Sequence, residues 1–132
     1  MRFGVFAPLL AEVPHCFFKS PKPSEAHLKE WYEQVLPHYL QTGAIERLDA
    51  RPNWCYKAFF VDKRDGGLRL IIDLRPLNVF FPICSVKYES LSFLRFVPRD
   101  CVSAVSLDLQ DGYHHLRLHP AIRHLFNFEF DG

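Results

Sequence analysis

The first regular pattern of apolar and polar positions along the chain lies in residues 24–42 and has the period of a helix. Apolar side chains recur there at alternating steps of three and one, so they form one continuous stripe along a helix. Ser24 is a suitable N-cap residue and Gly43 a suitable stop, whereas Pro37, which lacks an N–H, is expected to kink or restart the helix. The pattern therefore predicts an amphipathic helix at 24–42, after an irregular, proline-punctuated lead-in at 1–23.

A pair of strands is predicted next. Residues 56–62 are rich in aromatic and β-branched side chains, and residues 68–74 are almost continuously aliphatic, which is typical of a strand covered on both faces. The Asp-Gly pair at 65–66 is a strong hairpin signal, because tight hairpin turns need positive φ angles. Pro76 is expected to keep Arg75 out of a helix and to end the second strand.

The pattern beyond the hairpin is mixed. It predicts a short helix within 88–97 and a buried strand at 101–109. Alternation at 116–119 suggests another strand, and a helical turn is expected to begin at Pro120. Phenylalanines alternate with polar residues at 125–131, as in a half-buried strand. The whole order predicts an α+β fold of antiparallel strands with flanking helices.

Composition narrows the class of protein. Apolar residues make up 48% of the 132 residues and aromatic residues 15%, which excludes a disordered chain. The formal net charge of +1 gives no overall attraction to nucleic acid, although residues 47–75 hold seven Lys or Arg against four Asp, which suits a local binding surface. No apolar run approaches the ~20 residues of a membrane span.

The cysteines indicate the compartment. Cys16, Cys55, Cys84 and Cys101 lack the paired spacing of a metal site, and we interpret them as scattered buried thiols in a reducing environment. Residues 2–10 weakly resemble a signal peptide, but Pro and Glu interrupt the apolar run and no small-residue cleavage site follows. We therefore expect an intracellular protein, nuclear or cytoplasmic, that is not secreted.

Three polar segments stand out in a fixed order. They are Phe60-Val61-Asp62-Lys63-Arg64-Asp65-Gly66-Gly67-Leu68-Arg69, Ile72-Asp73-Leu74-Arg75-Pro76-Leu77-Asn78 and Ser106-Leu107-Asp108-Leu109-Gln110-Asp111-Gly112-Tyr113. With Gly43-Ala44-Ile45 upstream and His119-Pro120 downstream, the chain resembles the reverse transcriptases (RNA-directed DNA polymerases) of retroelements, and is similar to those of tyrosine-recombinase and gypsy-like retrotransposons. The resemblance covers residues 43–132, about two-thirds of the chain.

This resemblance implies a fold and a division of the chain. Residues 43–100 would form a fingers-like region and residues 101–132 the first part of the palm of a right-hand polymerase. Asp108 would be the first catalytic carboxylate and a ligand of Mg²⁺, the metal that phosphoryl transfer uses and that carboxylate oxygens bind. A buried strand that ended at Asp108 would hold this group rigidly. Without the flanking motifs, Asp108 and Asp111 would be interpreted as turn residues that cap the backbone.

The resemblance also implies nucleotide contacts. Lys63 and Arg69 would reach the triphosphate, although on their own they would be interpreted as solvated charges of a hairpin. Asp111 and Gly112 would lie beside the incoming nucleotide, and the ring of Tyr113 would reject a 2′-hydroxyl and so favour deoxynucleotides.

The second segment is interpreted mainly as structural. Asp73 is expected to pair with Arg75 or another basic residue, and Asn78 is expected to be a turn residue. Arg75 has a secondary role as a candidate contact to template phosphate, which makes template-primer and deoxynucleotide triphosphates the implied partners.

The set of catalytic carboxylates is incomplete. The family carries two more in a Tyr-x-Asp-Asp-like motif, which does not follow Asp108 in this sequence. We therefore expect weak or no Mg²⁺ binding and no polymerase activity from this chain alone, as in a fragment, a decayed copy or one part of a split polymerase. The alternatives are a non-catalytic nucleic-acid-binding or scaffolding remnant of a retroelement, and an unrelated α+β domain. An unpaired strand edge of the palm sheet and a Phe-rich face at 126–130 are expected to cause poor solubility or self-association.

Overall fold

One interrupted helix, two short strand pairs and several single helical turns form a small α+β fold, as predicted. The computed structural model describes residues 4, 6–88 and 90–130. Its helices and strands are β1 (Cys16–Phe17), α1 (Glu25–Glu30), a π-helical turn (Trp31–Val35), α2 (Leu36–Thr42), β2 (Trp54–Cys55), β3 (Ala58–Asp62), β4 (Leu68–Ile72), α3 (Arg75–Asn78), two 3₁₀ turns (Leu91–Phe96 and Gly112–His115) and α4 (Pro120–Arg123).

The helix begins and ends where the sequence predicts. The Ser24 side chain accepts a hydrogen bond from the backbone N–H of His27 at 3.2 Å, and Gly43 adopts a left-handed conformation with φ of +70°. The π-helical turn at Trp31–Val35 comes just before Pro37. We attribute this wider turn to Pro37, which has no N–H to donate and whose ring would crowd the carbonyl one turn earlier in a regular helix.

The predicted hairpin is confirmed, with strands shorter than expected. β3 and β4 pair antiparallel along all five residues of each strand. Residues 63–67 form the loop, in which Gly66 and Gly67 both have φ of +89°. A side chain would be strained at either position, so the two glycines are what allow the tight reversal.

The lead-in is more ordered than predicted. β1 pairs parallel with β2, with Cys16 opposite Trp54. Farther along, Tyr56 forms a parallel bridge to Phe128, so the beginning, middle and end of the chain meet at one place. The Tyr56 hydroxyl is buried and has no hydrogen-bond partner in the described part of the chain, and burial raises its pKa far above the ordinary value.

Two clusters of buried side chains hold these elements together. The first core cluster consists of Val13, Tyr56, Leu77, Ile122 and Leu125. The aromatic core cluster consists of Trp31, Tyr39 and Leu68, against which Phe60, Phe128 and Phe130 pack. The aromatic core cluster therefore joins the π-helical turn and α2 to the hairpin and to the 128–130 segment.

The phenylalanines near the end of the chain are half-buried, as predicted, but they do not form an exposed face. Phe130 stacks on Phe60 with 4.5 Å between the ring centroids, and Phe128 lies edge-on against Trp31. Only a single bridge residue, Phe128, replaces the predicted strand over the residues that the structure describes, and the last two positions of the chain lie outside them. The rings are only partly buried, so self-association through this region stays a prediction.

The predicted buried strand at 101–109 is also wrong. This stretch has no regular secondary structure and all of its residues are exposed, because no strand or helix of the described chain covers it. The helix predicted within 88–97 is reduced to the 3₁₀ turn Leu91–Phe96, although residue 89 of that prediction lies outside the described residues. At 116–119 a single bridge residue replaces the strand, whereas the helical turn at Pro120 is confirmed.

Two smaller expectations need correction. Arg75 lies inside α3 because Pro76 occupies the first turn, where a missing N–H costs no helical hydrogen bond. Cys84 and Cys101 are exposed, so only Cys55 is the buried thiol that we predicted, with Cys16 half-buried.

The described residues contain no helix with the length and apolar character needed to cross a bilayer. The weak signal-peptide resemblance at 2–10 falls partly on residues outside the described ones.

Candidate nucleotide-binding site

One face of the hairpin is open and carries two candidate nucleotide-binding residues. We call Phe59, Val61, Lys63, Arg69 and Ile71 the hairpin face. The register pairs Val61 with Arg69 and Phe59 with Ile71, and side chains of directly opposed residues share a face. Lys63 continues the ladder, since its N–H donates to the carbonyl of Gly67 at 2.9 Å. By strand alternation its side chain follows that of Val61 onto the same face.

The hairpin face carries two positive charges, those of Lys63 and Arg69. Within the described residues, neither Lys63 nor Arg69 forms an ion pair with a carboxylate. The neighbouring carboxylate of Asp62 belongs to the opposite face, where it lies 3.1 Å from Nε2 of His27. Phe59 and Val61 are 38% and 43% exposed, so the two cations stand beside an apolar surface that solvent reaches. Such a surface can take a ligand that has both negative charge and an apolar part.

A pocket adjoins this face through Phe59. It has a volume of about 320 Å³ and is lined by the 21–24 segment, His27, Phe59 and Phe60. Lys22 contributes a further cation to its wall. The volume lies at the lower end of the range for small-molecule sites, and the aromatic rings offer a surface on which a nucleobase can stack.

The third sequence segment forms a turn that is anchored to α2. Asp111 adopts a left-handed conformation with φ of +50°, which Asp tolerates better than most residues, and its carbonyl accepts from the N–H of His114 at 2.8 Å. Its carboxylate lies 3.9 Å from Nε2 of His38, and the His114 ring packs edge-on against Tyr39 at 4.8 Å. Burial, and to a lesser extent the charge of Asp111, raises the pKa of Tyr39.

The hairpin and this turn therefore pack against the same part of the protein, the aromatic core cluster. Tyr39 contacts the turn and, with Trp31 and Leu68, belongs to the aromatic core cluster on which the hairpin packs. Gly112 is half-buried in the turn, whereas Tyr113 is 92% exposed and free to contact a ligand. The structure thus anchors Lys63, Arg69 and the 111–113 segment to the same helical support.

Asp108 is not held in this way. It lies in the exposed 101–109 stretch and makes no hydrogen bond or ion pair to Lys63, Arg69 or any other described residue. The rigid strand end that we predicted for its carboxylate is absent. In the described part of the chain, no three His, Cys, Asp or Glu side chains form a group that could hold a metal, and Mg²⁺ binding through Asp108 stays a prediction.

The ion pair predicted in the second segment is confirmed. Arg75 donates from Nη2 to Oδ2 of Asp73 at 2.7 Å and from Nε to Oδ1 at 2.8 Å. These hydrogen bonds lower the pKa of Asp73 to about 2. The Arg75 side chain is otherwise 87% exposed, so a contact from its remaining nitrogen to template phosphate stays a prediction. Asn78 ends α3 and its carbonyl accepts from the N–H of Phe81, as expected of a turn residue.

Sequence reasoning missed two residues of the site. His38 and Tyr39 lie in the apolar stripe of the helix, where Tyr39 was interpreted only as core material. Their contacts with residues 111 and 114 cross more than seventy positions of sequence, and no local pattern indicates them.

Comparison with protein-family models, with curated proteins and with solved structures gave no match for this chain. The assignment of function therefore depends on the chemistry and placement of the residues described above. Among these, the two cations of the hairpin face provide the most direct physical indication of a ligand.

Proposed function

We propose that the chain is the fingers and the start of the palm of a retroelement reverse transcriptase, in which the hairpin face binds the phosphates of a deoxynucleotide or template-primer. One observation carries this proposal. Lys63 and Arg69 lie on the same open face of the hairpin and have no acidic partner among the described residues. Two cations on one face of the hairpin, without an ion-pair partner among the described residues, favour an anionic ligand.

The two cations are chemically suited to phosphate. The Arg69 guanidinium can donate two parallel hydrogen bonds to one phosphate group, and the Lys63 ammonium acts as a mobile point charge. Next to them, Phe59 provides an aromatic surface for a base, at the edge of the 320 Å³ pocket. This combination of cations and an exposed ring is the one that single-stranded nucleic acid and nucleotides need.

The remaining roles follow from the sequence motifs. Asp111 and Gly112 would lie beside the nucleotide, Tyr113 would contact the sugar, and Asp108 would supply one carboxylate to a magnesium site completed by groups outside this sequence. One carboxylate cannot hold two metal ions in the geometry of phosphoryl transfer. We therefore expect the protein alone to bind nucleic acid and to give no incorporation in a primer-extension assay.

Binding of a fluorescent template-primer, measured by anisotropy over a range of salt concentrations, tests the proposal. The Lys63→Gln/Arg69→Gln double variant should bind at least tenfold more weakly at low salt, because two phosphate contacts are lost. Its plot of log affinity against log salt should be shallower by about two, since each contact releases about one counterion. Lys29→Gln changes an exposed lysine of α1 and serves as the matched control.

Equal losses in Lys29→Gln and in the double variant would contradict a specific role for the hairpin face. The non-catalytic alternative, a nucleic-acid-binding remnant, is favoured by the isolated position of Asp108. The DNA downstream of codon 132 separates the two, because an in-frame Tyr-x-Asp-Asp motif supports a polymerase. An expressed stop codon supports the remnant.

A further inference from the structure

A long part of the described chain is exposed to solvent and has no other element packed against it. Every described residue from 83 to 110 is exposed, and we call this stretch the open segment. The protein exposes 11433 Å² of surface, whereas a compact chain of its mass would expose about 7,200 Å². The excess is larger than the roughly 1,200–2,000 Å² that a standard protein interface buries in total. The molecule therefore has ample surface for a stable interface.

Part of the open segment has the pattern of an unpaired strand. Val105, Leu107 and Leu109 are 85%, 90% and 68% exposed, and they alternate with Ser106 and Asp108. None of the backbone N–H groups of residues 102–109 donates to an acceptor in the described chain. A stretch with alternating aliphatic side chains and free backbone donors is a template for another strand.

We propose that residues 102–110, the pairing segment, form an antiparallel strand pair with the same segment of a second copy, centred on Ser106. In this register Val105 lies opposite Leu107 of the other copy, and Ser103 lies opposite Leu109. Val105, Leu107 and Leu109 then share one face, whereas Val102 lies on the other, opposite Gln110. The other face brings Ala104 opposite Asp108, so that no two carboxylates are directly opposed.

The segment is complementary to itself, which is why a second copy is the occupant. An antiparallel pair about a central residue has two-fold symmetry, so each favourable pair occurs twice and the assembly closes as a dimer. The register satisfies the side-chain pattern, and the second copy pairs with the N–H group of every second residue. This inference does not depend on the proposed phosphate contacts of Lys63 and Arg69, although the pairing segment includes Asp108.

Site-directed cross-linking tests the register. Cys84 and Cys101 are exposed and are first replaced by Ser, to remove competing thiols. In that background the Ser106→Cys variant should give a disulfide-linked dimer under mild oxidation, because the central residue faces its own copy across the pair. Ala104→Cys is the matched control. Two copies of residue 104 would be four residues out of register, about 13 Å apart, and should not link.

Light scattering at about 100 μM protein tests the association itself. We expect a dimer, and Leu107→Lys should weaken it at least tenfold, since a charge enters the aliphatic face of the pair. Ile83→Lys changes an equally exposed aliphatic residue outside the pairing segment and should leave the dimer intact. A monomer at this concentration, equal effects of the two lysine variants, or equal cross-linking at 104 and 106 would overturn the proposal.

Discussion

The packed part of the chain and the open segment have similar apolar content but differ in how much of it is buried. All buried residues of the described chain lie within 13–77 and 122–125, whereas residues 83–110 contain Leu, Val and Phe side chains and bury none of them. The two regions differ in whether other parts of the chain pack against their apolar side chains. Helix, hairpin and chain ends cover one another in the packed part, and nothing in the described chain covers the open segment. An apolar pattern thus shows that a partner is needed, but not where that partner is.

Removal of a packed leucine should produce the largest contrast between the two regions. Leu77 is completely buried, so Leu77→Ala should lower the free energy of unfolding by about 2–5 kcal/mol through lost contacts and a cavity. Leu91 is 84% exposed in the open segment, and Leu91→Ala should change it by less than about 0.5 kcal/mol. Urea unfolding followed by circular dichroism measures both.

Leu91→Ala is the matched control for the first comparison, because the same atoms are deleted. A large loss of stability in this variant would show that the open segment is packed in solution. A small loss in Leu77→Ala would show that the first core cluster is not formed.

Helix capping gives a smaller contrast of the same kind. The Ser24 hydroxyl caps α1, so Ser24→Ala should lower the free energy of unfolding by about 1 kcal/mol. Ser90 occupies the equivalent position before the 3₁₀ turn Leu91–Phe96 but its side chain makes no capping hydrogen bond, and Ser90→Ala should have little effect. Thermal unfolding of the two variants measures the difference, and equal shifts of Tm would contradict it.

The smallest expected effect concerns pH. Because Arg75 lowers the pKa of Asp73 from 3.8 to about 2, the ion pair stabilises the folded state above about pH 4. That contribution is lost as the pH falls from about 4 to 2, where the folded protein takes up the proton. The ¹³C shift of the Asp73 carboxyl should therefore titrate with a midpoint near 2.

Arg75→Gln provides the control for this titration. It removes the guanidinium and should move the midpoint upwards, toward the ordinary value of a carboxyl group. A midpoint that is the same in both proteins would show that the ion pair does not persist in solution.

Most of the correct predictions depend on local signals, although Pro76 shows that a local signal can also mislead. The caps at Ser24 and Gly43, the two glycines of the hairpin and the Asp73–Arg75 pair all depend on residues a few positions apart. The strand predicted at 101–109 was wrong because a strand needs a neighbour, which a sequence pattern does not supply.

In the candidate site, too, the local features were predictable from the sequence and the tertiary contacts were not. The cations of the hairpin face follow from strand alternation, which is a local rule. The contact between His38 and Asp111 is a tertiary one, and so is the parallel bridge from Tyr56 to Phe128. Such contacts arise only when the whole chain has packed.

The first core cluster has a consequence for synthesis of the protein. It joins Val13 to Leu125, so it cannot close until residue 125 has left the ribosome. At typical elongation rates of about 5–20 residues per second, Val13 waits roughly 5–25 seconds for its last partner. Throughout that interval the nascent polypeptide presents uncovered apolar groups to the surrounding medium, which makes it a natural client for ribosome-associated chaperones.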